Sequence, residues 1–247
     1  MDFGLGAAIG AFGGLFGVGG GVIAVPVLGL LYGLDQQHAQ GTAMVMVAPN
    51  VLLGLRRYRQ VGAKKVPMDD RMALTLAACA VVSTVPFAIL ATRVSSGTLR
   101  IAFACFLFAL GLFLAWRLLQ YAQAHTREPK YAWGWSSLVG VIGGALSGIF
   151  GVGGAMIAPP LLTGLFGVSQ AQAQGLALAL VAPGTVVSLI TYAAARDVVW
   201  TAGIALALGG LTSVSAGVAL AHRLPERTLR WLFCGLLVAT ALVLVLR

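Results

Sequence analysis

Residues 14–28 read GLFGVGGGVIAVPVL, and this stretch decides the architecture that we predict. It lies inside an apolar run, residues 5–33, that as one helix would be about 43 Å long, against a bilayer hydrocarbon core of about 30 Å. Adjacent glycines are costly in a helix, so we predict a break between Phe16 and Gly21. Inside a bilayer such a break leaves N–H groups that protein, water or a ligand must satisfy. The stretch therefore predicts a membrane helix interrupted at a binding site.

The composition of the whole chain supports a membrane protein. Of the 247 residues, 59% are hydrophobic and 9% are charged, against about 25% charged in an ordinary soluble domain. A soluble globule is excluded, and 33 glycines suit packed or broken helices better than a barrel of alternating strands. We predict an all-α integral membrane protein with about eight apolar helical segments, at 5–33, 39–58, 72–92, 99–120, 134–167, 173–195, 199–221 and 229–246.

The charge balance is strongly basic. There are 16 Lys and Arg residues against 7 Asp and Glu, a net charge of +9. In a soluble protein this would suggest nucleic-acid binding, but here the basic residues lie at the ends of apolar runs. We therefore attribute the excess to the positive-inside bias of membrane proteins and predict no nucleic-acid partner. The three cysteines have no metal-ligand spacing, and we interpret them as small apolar helix residues: Cys79, Cys105 and Cys234.

The quoted stretch occurs twice. A shift of 134 positions aligns Gly10–Val51 with Gly144–Thr185 without a gap, and 22 of the 42 positions are identical. The second copy reads GIFGVGGAMIAPPLL at 148–162. Downstream, QGTAMVMVAPN at 40–50 matches QGLALALVAPG at 174–184. In a slightly different register the match resumes, with Thr98, Leu99 and Arg100 against Thr228, Leu229 and Arg230.

This duplication predicts the domain organisation. Residues 1–123 form the first membrane repeat, 124–131 a polar linker, and 132–247 the second membrane repeat. Each repeat has four segments, and the first segment of each is broken at the glycine motif. Paired interrupted segments at corresponding positions of two halves point to a transporter's binding site.

The chemistry of the breaks favours an anion. N–H groups at the start of the second half-helix carry about half a positive charge from the aligned peptide dipoles. The motif lacks the Gly-Lys-Ser/Thr of a phosphate loop and the last glycine of Gly-x-Gly-x-x-Gly, so neither nucleotide-binding pattern fits. The alternative is that the glycines only allow close helix packing, the role that we favour at Gly140, Gly144 and Gly148.

The doubled Phe-Gly-Val-Gly-Gly motif with its downstream proline resembles the TauE/SafE family of sulfite exporters and related anion transporters. The resemblance covers essentially the whole chain. It implies transport of small sulfur-containing anions, such as sulfite or organosulfonates, across a bacterial-type inner membrane. The second copy departs from the first at Ala155, opposite Gly21, and at Gly184, opposite Asn50. These differences leave open whether both breaks contact the ligand equally.

The predicted substrate-binding residues lie at the breaks and on the following segment of each repeat. Asn50 and Thr185 follow Pro49 and Pro183 and can donate to an oxyanion, or they can rebond the backbone at a proline kink. Gln40 and Gln174 lie near helix ends and can contact substrate or reach lipid headgroups. The complete predicted set is Gly19, Gly20, Gly21, Gly153, Gly154, Asn50, Thr185, Gln40 and Gln174.

No catalytic site is predicted. All seven acidic residues fall at or outside the ends of apolar runs, so no carboxylate is available mid-membrane as a proton or sodium relay. His38 and His222 lie near helix ends, where a solvated histidine is expected. We expect no metal, no cofactor and no enzymatic activity. No Lys or Arg lies within the broken segments, so we expect an anion site without an arginine clamp.

The membrane path has two alternatives. If each broken segment crosses the membrane, 11 of the 16 basic residues lie on one side; if each folds back as a re-entrant hairpin, 12 do. Both alternatives place 56–71 in the cytoplasm. The hairpin alternative inverts the two halves and puts both termini outside the cytoplasm.

The leading hypothesis is a multi-pass transporter, in the export direction, for a small sulfur-containing anion such as sulfite, sulfoacetate or another organosulfonate. Its partners are the small anionic substrate and the lipid bilayer, with a homodimer as an open option. The rival hypothesis is a non-transporting membrane scaffold or assembly protein whose glycine breaks serve packing only. A bulky residue such as Leu at Gly19 or Gly153 should abolish transport and leave folding intact if the breaks bind anion.

Overall fold

The computed structural model describes residues 2–62, 69–120, 133–151, 153–168, 170–221, 224 and 226–246. Their regular secondary structure is helical, with no strand among these residues, which confirms the predicted all-α class. The helices are α1 (Asp2–Phe16), α2 (Gly21–Tyr32), α3 (Gln36–Gly62), α4 (Asp70–Arg93), α5 (Ser96–Gln120), α6 (Ser136–Phe150), α7 (Gly153–Phe166), α8 (Gln170–Ala194), α9 (Trp200–Ala221) and α10 (Glu226–Leu246), with a short 3-10 turn at Trp133–Trp135 before α6.

Five of the described helices are long and apolar enough to cross a membrane: α4, α5, α8, α9 and α10. Four others, α1, α2, α6 and α7, are apolar but shorter than 18 residues. Large apolar side chains such as Leu74, Val82 and Ile190 are exposed on the outer surface. Trp116, Trp135 and Trp231 are also exposed, each near a helix end, where membrane proteins place aromatic residues at the headgroup level.

Local signals set the helix ends. Asp69 caps α4 by accepting from the N–H groups of Arg71 at 3.0 Å and Met72 at 3.3 Å. Asp35 caps α3 in the same way, with its carboxylate 2.9 Å from the N–H of His38. Gly33 ends α2 with a φ of 65°, a left-handed conformation that glycine adopts without strain.

Helices α3 and α8 form the centre of the bundle. They pack against each other, and each also contacts helices of both halves of the chain, α2 and α9 for α3, and α4 and α7 for α8. Met44 and Met46 of α3 and Leu176 and Leu180 of α8 are fully buried. The bundle core therefore lies along the segments that follow the two glycine motifs.

Polar contacts near the helix ends define the two ends of the bundle. The N–H of Gln36 donates to Ser96 Oγ at 3.1 Å, and the N–H of Val199 donates to Thr42 Oγ1 at 2.9 Å. The starts of α3, α5 and α9 therefore lie together, at what we call the Asp35 end. At the opposite end, the Arg59 guanidinium is 3.9 Å from the Asp70 carboxylate, which joins the end of α3 to the start of α4. We call this the Asp69 end.

The α1–α2 segment begins and ends at the Asp35 end. Glycines of α1 pack against α9 in order along the chain, Gly6 on Leu206 and Gly14 on Val214, so the two helices are parallel. Because α9 starts at the Asp35 end, α1 does as well. The Asp2 carboxylate at the start of α1 interacts with the Tyr32 hydroxyl at the end of α2.

The α6–α7 segment begins and ends at the Asp69 end. Gly140 of α6 packs on Cys79 of α4, and Gly148 packs on Ala88, so α6 runs parallel to α4 from the Asp69 end. The last turn of α8 reaches the Asp35 end, where the Tyr192 hydroxyl donates to Gln40 Oε1 at 2.8 Å. Helix α8 therefore starts at the Asp69 end, and so α7 ends there.

The helix pairings repeat when α1–α5 are exchanged with α6–α10. Helix α1 packs on α9 as α6 packs on α4, α3 packs on α9 as α8 packs on α4, and α2 packs on α3 as α7 packs on α8. The exchange converts the pair α3–α8 into itself, and it does the same for the pair α5–α10. Each half therefore packs largely against the other.

Candidate functional site

The glycine motifs form the turns between paired short helices. Gly17, Gly19 and Gly20 have φ values of 70°, 71° and 90°, and Gly151 has 74°. These left-handed conformations strain any side chain but suit glycine. The chain restarts a helix directly afterwards, since the N–H groups of Ile23 and Ala24 donate to Gly20 O at 3.1 and 3.0 Å.

A cavity of about 100 Å³ lies beside both motifs. Phe16, the last residue of α1, lines one wall, and Ala155 and Met156, in the first turn of α7, line another. The remaining walls come from α5, α8 and α10 and from the rest of α7: Leu114, Leu118, Pro159, Pro160, Thr163, Gln174, Leu229, Arg230, Phe233 and Cys234. Leu118 and Leu229 place the cavity near the Asp69 end.

The polar lining of the cavity can hold an anion. Arg230 and Gln174 are half-buried side chains with N–H donors. Gln174 is also near the first motif, since a Cβ on Gly17 would be 4.0 Å from its Cγ. Most other lining side chains are apolar, a setting in which a small number of polar groups fix the ligand.

Comparison with known proteins gives a family match over nearly the whole chain. The family model described as sulfite exporter TauE/SafE matches residues 3–244. The chain belongs to the TauE/SafE sulfite exporter family. It is 26% identical over 254 residues to a probable membrane transporter protein of Xylella fastidiosa strain 9a5c, covering 100% of this chain and 95% of that protein. A protein of the same printed name from strain Temecula1 is 27% identical over 251 residues, with the same coverage.

A third relative matches only part of this chain. A probable membrane transporter protein of Methanocaldococcus jannaschii is 29% identical over 164 residues, covering 64% of this chain and 59% of that protein. The family and these relatives establish membrane transport as the function of this TauE/SafE protein at the general level. They agree with the expectation that the chain is not an enzyme.

Arg230 is the cavity residue that the sequence analysis of this TauE/SafE chain missed. The broken segments contain no basic residue, but α10 brings Arg230 to the cavity that they border. This cavity therefore offers an arginine, which the expectation of a site without an arginine clamp did not include. The signal was the repeated Thr-Leu-Arg at 98–100 and 228–230, which preserves an arginine at equivalent positions of the two halves.

The two predicted glutamines occupy different environments. Gln174 lines the cavity and is half-buried. Gln40 is fully buried beside the second motif: its Oε1 accepts from Tyr192, whose hydroxyl is also 3.3 Å from Ile149 O. Neither is placed to reach lipid headgroups from an exposed helix end.

Asn50 and Thr185 lie outside the cavity lining. The Thr185 hydroxyl donates to Ala182 O at 2.9 Å, which is the backbone role beside Pro183. Asn50 is 1% exposed, and its Oδ1 and Nδ2 have no hydrogen-bond partner among the described residues. It lies against Gly210 of α9, where a Cβ would be 2.6 Å from its Nδ2.

The predicted glycines make close backbone contacts. A Cβ on Gly19 would be 2.6 Å from Val51 Cγ2, and one on Gly20 would be 2.8 Å from Met46 Cε. Gly154 packs against Gly143 O of α6, Gly21 is buried as the first residue of α2, and Gly153 is the first residue of α7. A leucine at Gly19 would therefore clash with α3, and the expectation that folding stays intact does not hold at this position.

A small charged cluster lies at the Asp35 end, outside the cavity. His38 Nδ1 is 2.9 Å from the Asp35 carboxylate and 4.0 Å from that of Asp197. Partial burial acts to raise the pKa of Asp35, but the N–H and ring of His38 outweigh it, and the pKa is lowered. Burial raises the pKa of Asp197; His38 opposes this effect and Asp35 adds to it. His222 lies outside the described residues.

Proposed function

We propose that this protein exports a small sulfur-containing anion, such as sulfite, sulfoacetate or another organosulfonate, across a bacterial-type inner membrane. The anion binds between the two glycine-broken segments. The observation that carries the proposal is the cavity whose walls include Phe16 from one broken segment and Ala155 and Met156 from the other. Arg230 and Gln174 supply hydrogen-bond donors to its oxygens.

The helix paths support the re-entrant alternative for the broken segments. Both ends of α1–α2 belong to the Asp35 end and both ends of α6–α7 to the Asp69 end. The two repeats are then inverted, which is the alternative that assigns 12 of the 16 basic residues by sequence to the side of the Asp69 end. The positive-inside rule puts that end in the cytoplasm. The cavity therefore faces the compartment from which an exporter takes its substrate.

The electrical gradient can drive export. An anion that leaves an inside-negative cell gains about 2.3 kcal/mol per charge per 100 mV. The acidic residues that the structure describes lie at helix ends or between helices, so no intramembrane carboxylate among them is positioned as a relay. Export then requires no coupled ion, and the site needs only to bind weakly enough to release its anion.

The test is net uptake of labelled sulfite and sulfoacetate into proteoliposomes, driven by an imposed potassium-diffusion potential. Saturable flux that follows the potential at constant pH is the expected result. Absence of saturable flux across a panel of sulfur oxyanions and organosulfonates would favour the scaffold alternative. Flux that follows only a pH gradient at zero potential, and loses this dependence when His38 or His222 is replaced, would replace the potential-driven account by a histidine relay.

A further inference from the structure

Three unpartnered nitrogen donors lie in the first two turns of α3 and α5, at the Asp35 end. Gln36 Nε2, Gln40 Nε2 and Arg100 Nε are buried atoms without a hydrogen-bond partner among the described residues. Gln36 and Gln40 are 3% and 0% exposed. Burying such donors unpaired is costly, because each loses its hydrogen bonds to water. Unpaired N–H donors of this kind fit the oxygens of an anion.

The helix register brings these donors together. The N–H of Gln36 donates to Ser96 Oγ, so the first turns of α3 and α5 are in contact, and both helices run from the Asp35 end. Gln40 lies one turn beyond Gln36, and Arg100 lies one turn beyond Ser96. Among the described residues Arg100 forms no ion pair that would occupy its charge.

The duplication gives each donor a counterpart at the cavity. Gln40 and Arg100 correspond to Gln174 and Arg230, both of which line it. The aromatic neighbours also correspond: Phe103 and Phe150 have ring centroids 5.2 Å apart, as do their counterparts Phe233 and Phe16. The Asp35 end therefore holds the counterparts of four cavity side chains: Gln40, Arg100, Phe103 and Phe150.

The two arrangements differ in access. Gln174, Phe16 and Phe233 are half-buried around an open cavity. Gln40 and Phe103 are both 0% exposed, and Phe150 is 6% exposed. Helix α3 contacts α5, whereas the cavity lies between the equivalent helices α8 and α10.

Two side-chain hydrogen bonds of Gln37 stabilise the closed arrangement. Its Nε2 donates to Val94 O at 2.5 Å, and its Oε1 accepts from the Ser96 hydroxyl. These bonds hold the start of α3 against the junction of α4 and α5. The equivalent position in the second half is Ala171, which can make neither side-chain bond. The first half of the chain therefore has a glutamine that stabilises the closed arrangement, and the second half has no glutamine at the equivalent position.

We propose that Gln36, Gln40 and Arg100 form a second binding pocket for the transported oxyanion, closed in this structure and opened toward the Asp35 end when the cavity at the Asp69 end closes. The proposal rests on the proposed transport function and extends it. Gln36, Gln40 and Arg100 donate to anion oxygens. The side-chain hydrogen bonds of Gln37 hold α3 against α5 while the pocket is closed.

The first experiment compares thiol accessibility at equivalent positions. Leu99 corresponds to Leu229; Leu229 lines the cavity and is half-buried, whereas Leu99 is 2% exposed. Two variants carry Leu229→Cys or Leu99→Cys, each with Cys79, Cys105 and Cys234 replaced by alanine. A membrane-impermeant cationic methanethiosulfonate is applied to inside-out vesicles and to intact cells. Without sulfite we expect the Leu229→Cys thiol to react from the cytoplasmic side and the Leu99→Cys thiol to be protected.

Sulfite turnover should reverse this pattern. We expect it to slow labelling of the Leu229→Cys thiol and to open the Leu99→Cys thiol to labelling from outside, and Gln37→Ala should open it without sulfite. Wild-type-like counterflow of sulfite combined with a thiol at position 99 that never reacts from outside would overturn the second pocket and leave the transport function standing. Absence of flux for every anion in the panel would instead remove the transport function.

The second experiment tests binding through the arginines. Arg100→Gln should raise the KM for sulfite by about tenfold, the loss expected for one charge-assisted hydrogen bond, and Arg100→Lys should restore part of it. Arg93→Gln is the matched control, because Arg93 is exposed near the same end. An unchanged KM in Arg100→Gln protein that elutes as the wild type does on size exclusion would exclude Arg100 from the pocket.

Discussion

Gln174 and Gln40 show how one residue type at equivalent positions acquires different surroundings. They share a motif, yet one lines a cavity and the other is fully buried on the Tyr192 hydroxyl. The difference comes from the neighbouring helices and not from the local sequence. At the residue scale, the chemistry of the cavity therefore depends on which donors the packing leaves within reach of a ligand.

A negative charge introduced at Gln174 tests the cavity as an anion site. Gln174→Glu places a carboxylate among the lining groups, and we expect the KM for sulfite to rise about tenfold or more, because like charges repel most strongly where water is scarce. Gln60→Glu is the control, since Gln60 is exposed on α3 toward the same end and adds the same charge. Equal effects of the two substitutions on counterflow would show a general surface-charge effect instead of a site.

The carboxylates at the Asp35 end predict opposite pH effects. The pKa of Asp35 is lowered, so the stabilisation from its charged form is present above the ordinary value of 3.8 and is lost as the pH falls through the folded pKa. The pKa of Asp197 is raised from 3.8, so its contribution is present below that value and is lost as the pH rises through the folded pKa.

Asparagine substitutions at pH 7 measure these contributions. Asp35→Asn retains a capping side chain and should lower the melting temperature in detergent, whereas Asp197→Asn should raise it. Each change is expected to stay within about 1 kcal/mol, because the groups are partly exposed. Intrinsic tryptophan fluorescence can follow both transitions. A higher melting temperature for Asp35→Asn would contradict the assigned sign.

At the element scale, glycine stripes join the short helices to the long ones. Gly140, Gly144 and Gly148 of α6 allow its backbone to approach α4, the packing role that the sequence favoured for them. Equivalent glycines of α1 pack on α9. Because little hydrophobic force acts between helices in lipid, close van der Waals packing of this kind supplies much of the association energy.

A pair of alanine substitutions tests the stripe. At Gly144 a Cβ would lie 2.6 Å from Ala80 Cα, so Gly144→Ala should destabilise the protein by about 1–3 kcal/mol through overpacking. At Gly235 of α10 a Cβ would meet nothing within 4 Å, so Gly235→Ala should be neutral or stabilising by up to about 1 kcal/mol. Thermal unfolding in detergent distinguishes them. Similar melting temperatures would argue against tight α4–α6 packing.

At the scale of the whole molecule, the inverted paths of the two halves predict the membrane topology. A reporter fused after Arg247 should be extracytoplasmic, and one inserted in the linker at 124–131 should be cytoplasmic. Alkaline phosphatase and green fluorescent protein fusions, which are active on opposite sides, give complementary readouts. A cytoplasmic C-terminus would eliminate the hairpin alternative.

The sequence by itself determined the helical membrane class and the position of both glycine motifs. Composition set the class, because chains this apolar cannot be solvated as globules. It also favoured the packing role of Gly140, Gly144 and Gly148, which follows from their spacing of one residue per turn on one helix face. These are properties of neighbouring residues, and a single chain segment contains the information.

Tertiary structure alone decided which residues line the cavity and how the Asp69 end of the bundle differs from the Asp35 end. Arg230 is far from the motifs in sequence and reaches the cavity through the packing of α10, and Thr185 donates to its own backbone. Duplicated sequences carry the same donors, but Gln37 and Ala171 differ in the bonds they can make. Which pocket is open depends on contacts between segments distant in the chain, and those contacts form only when the two halves pack together.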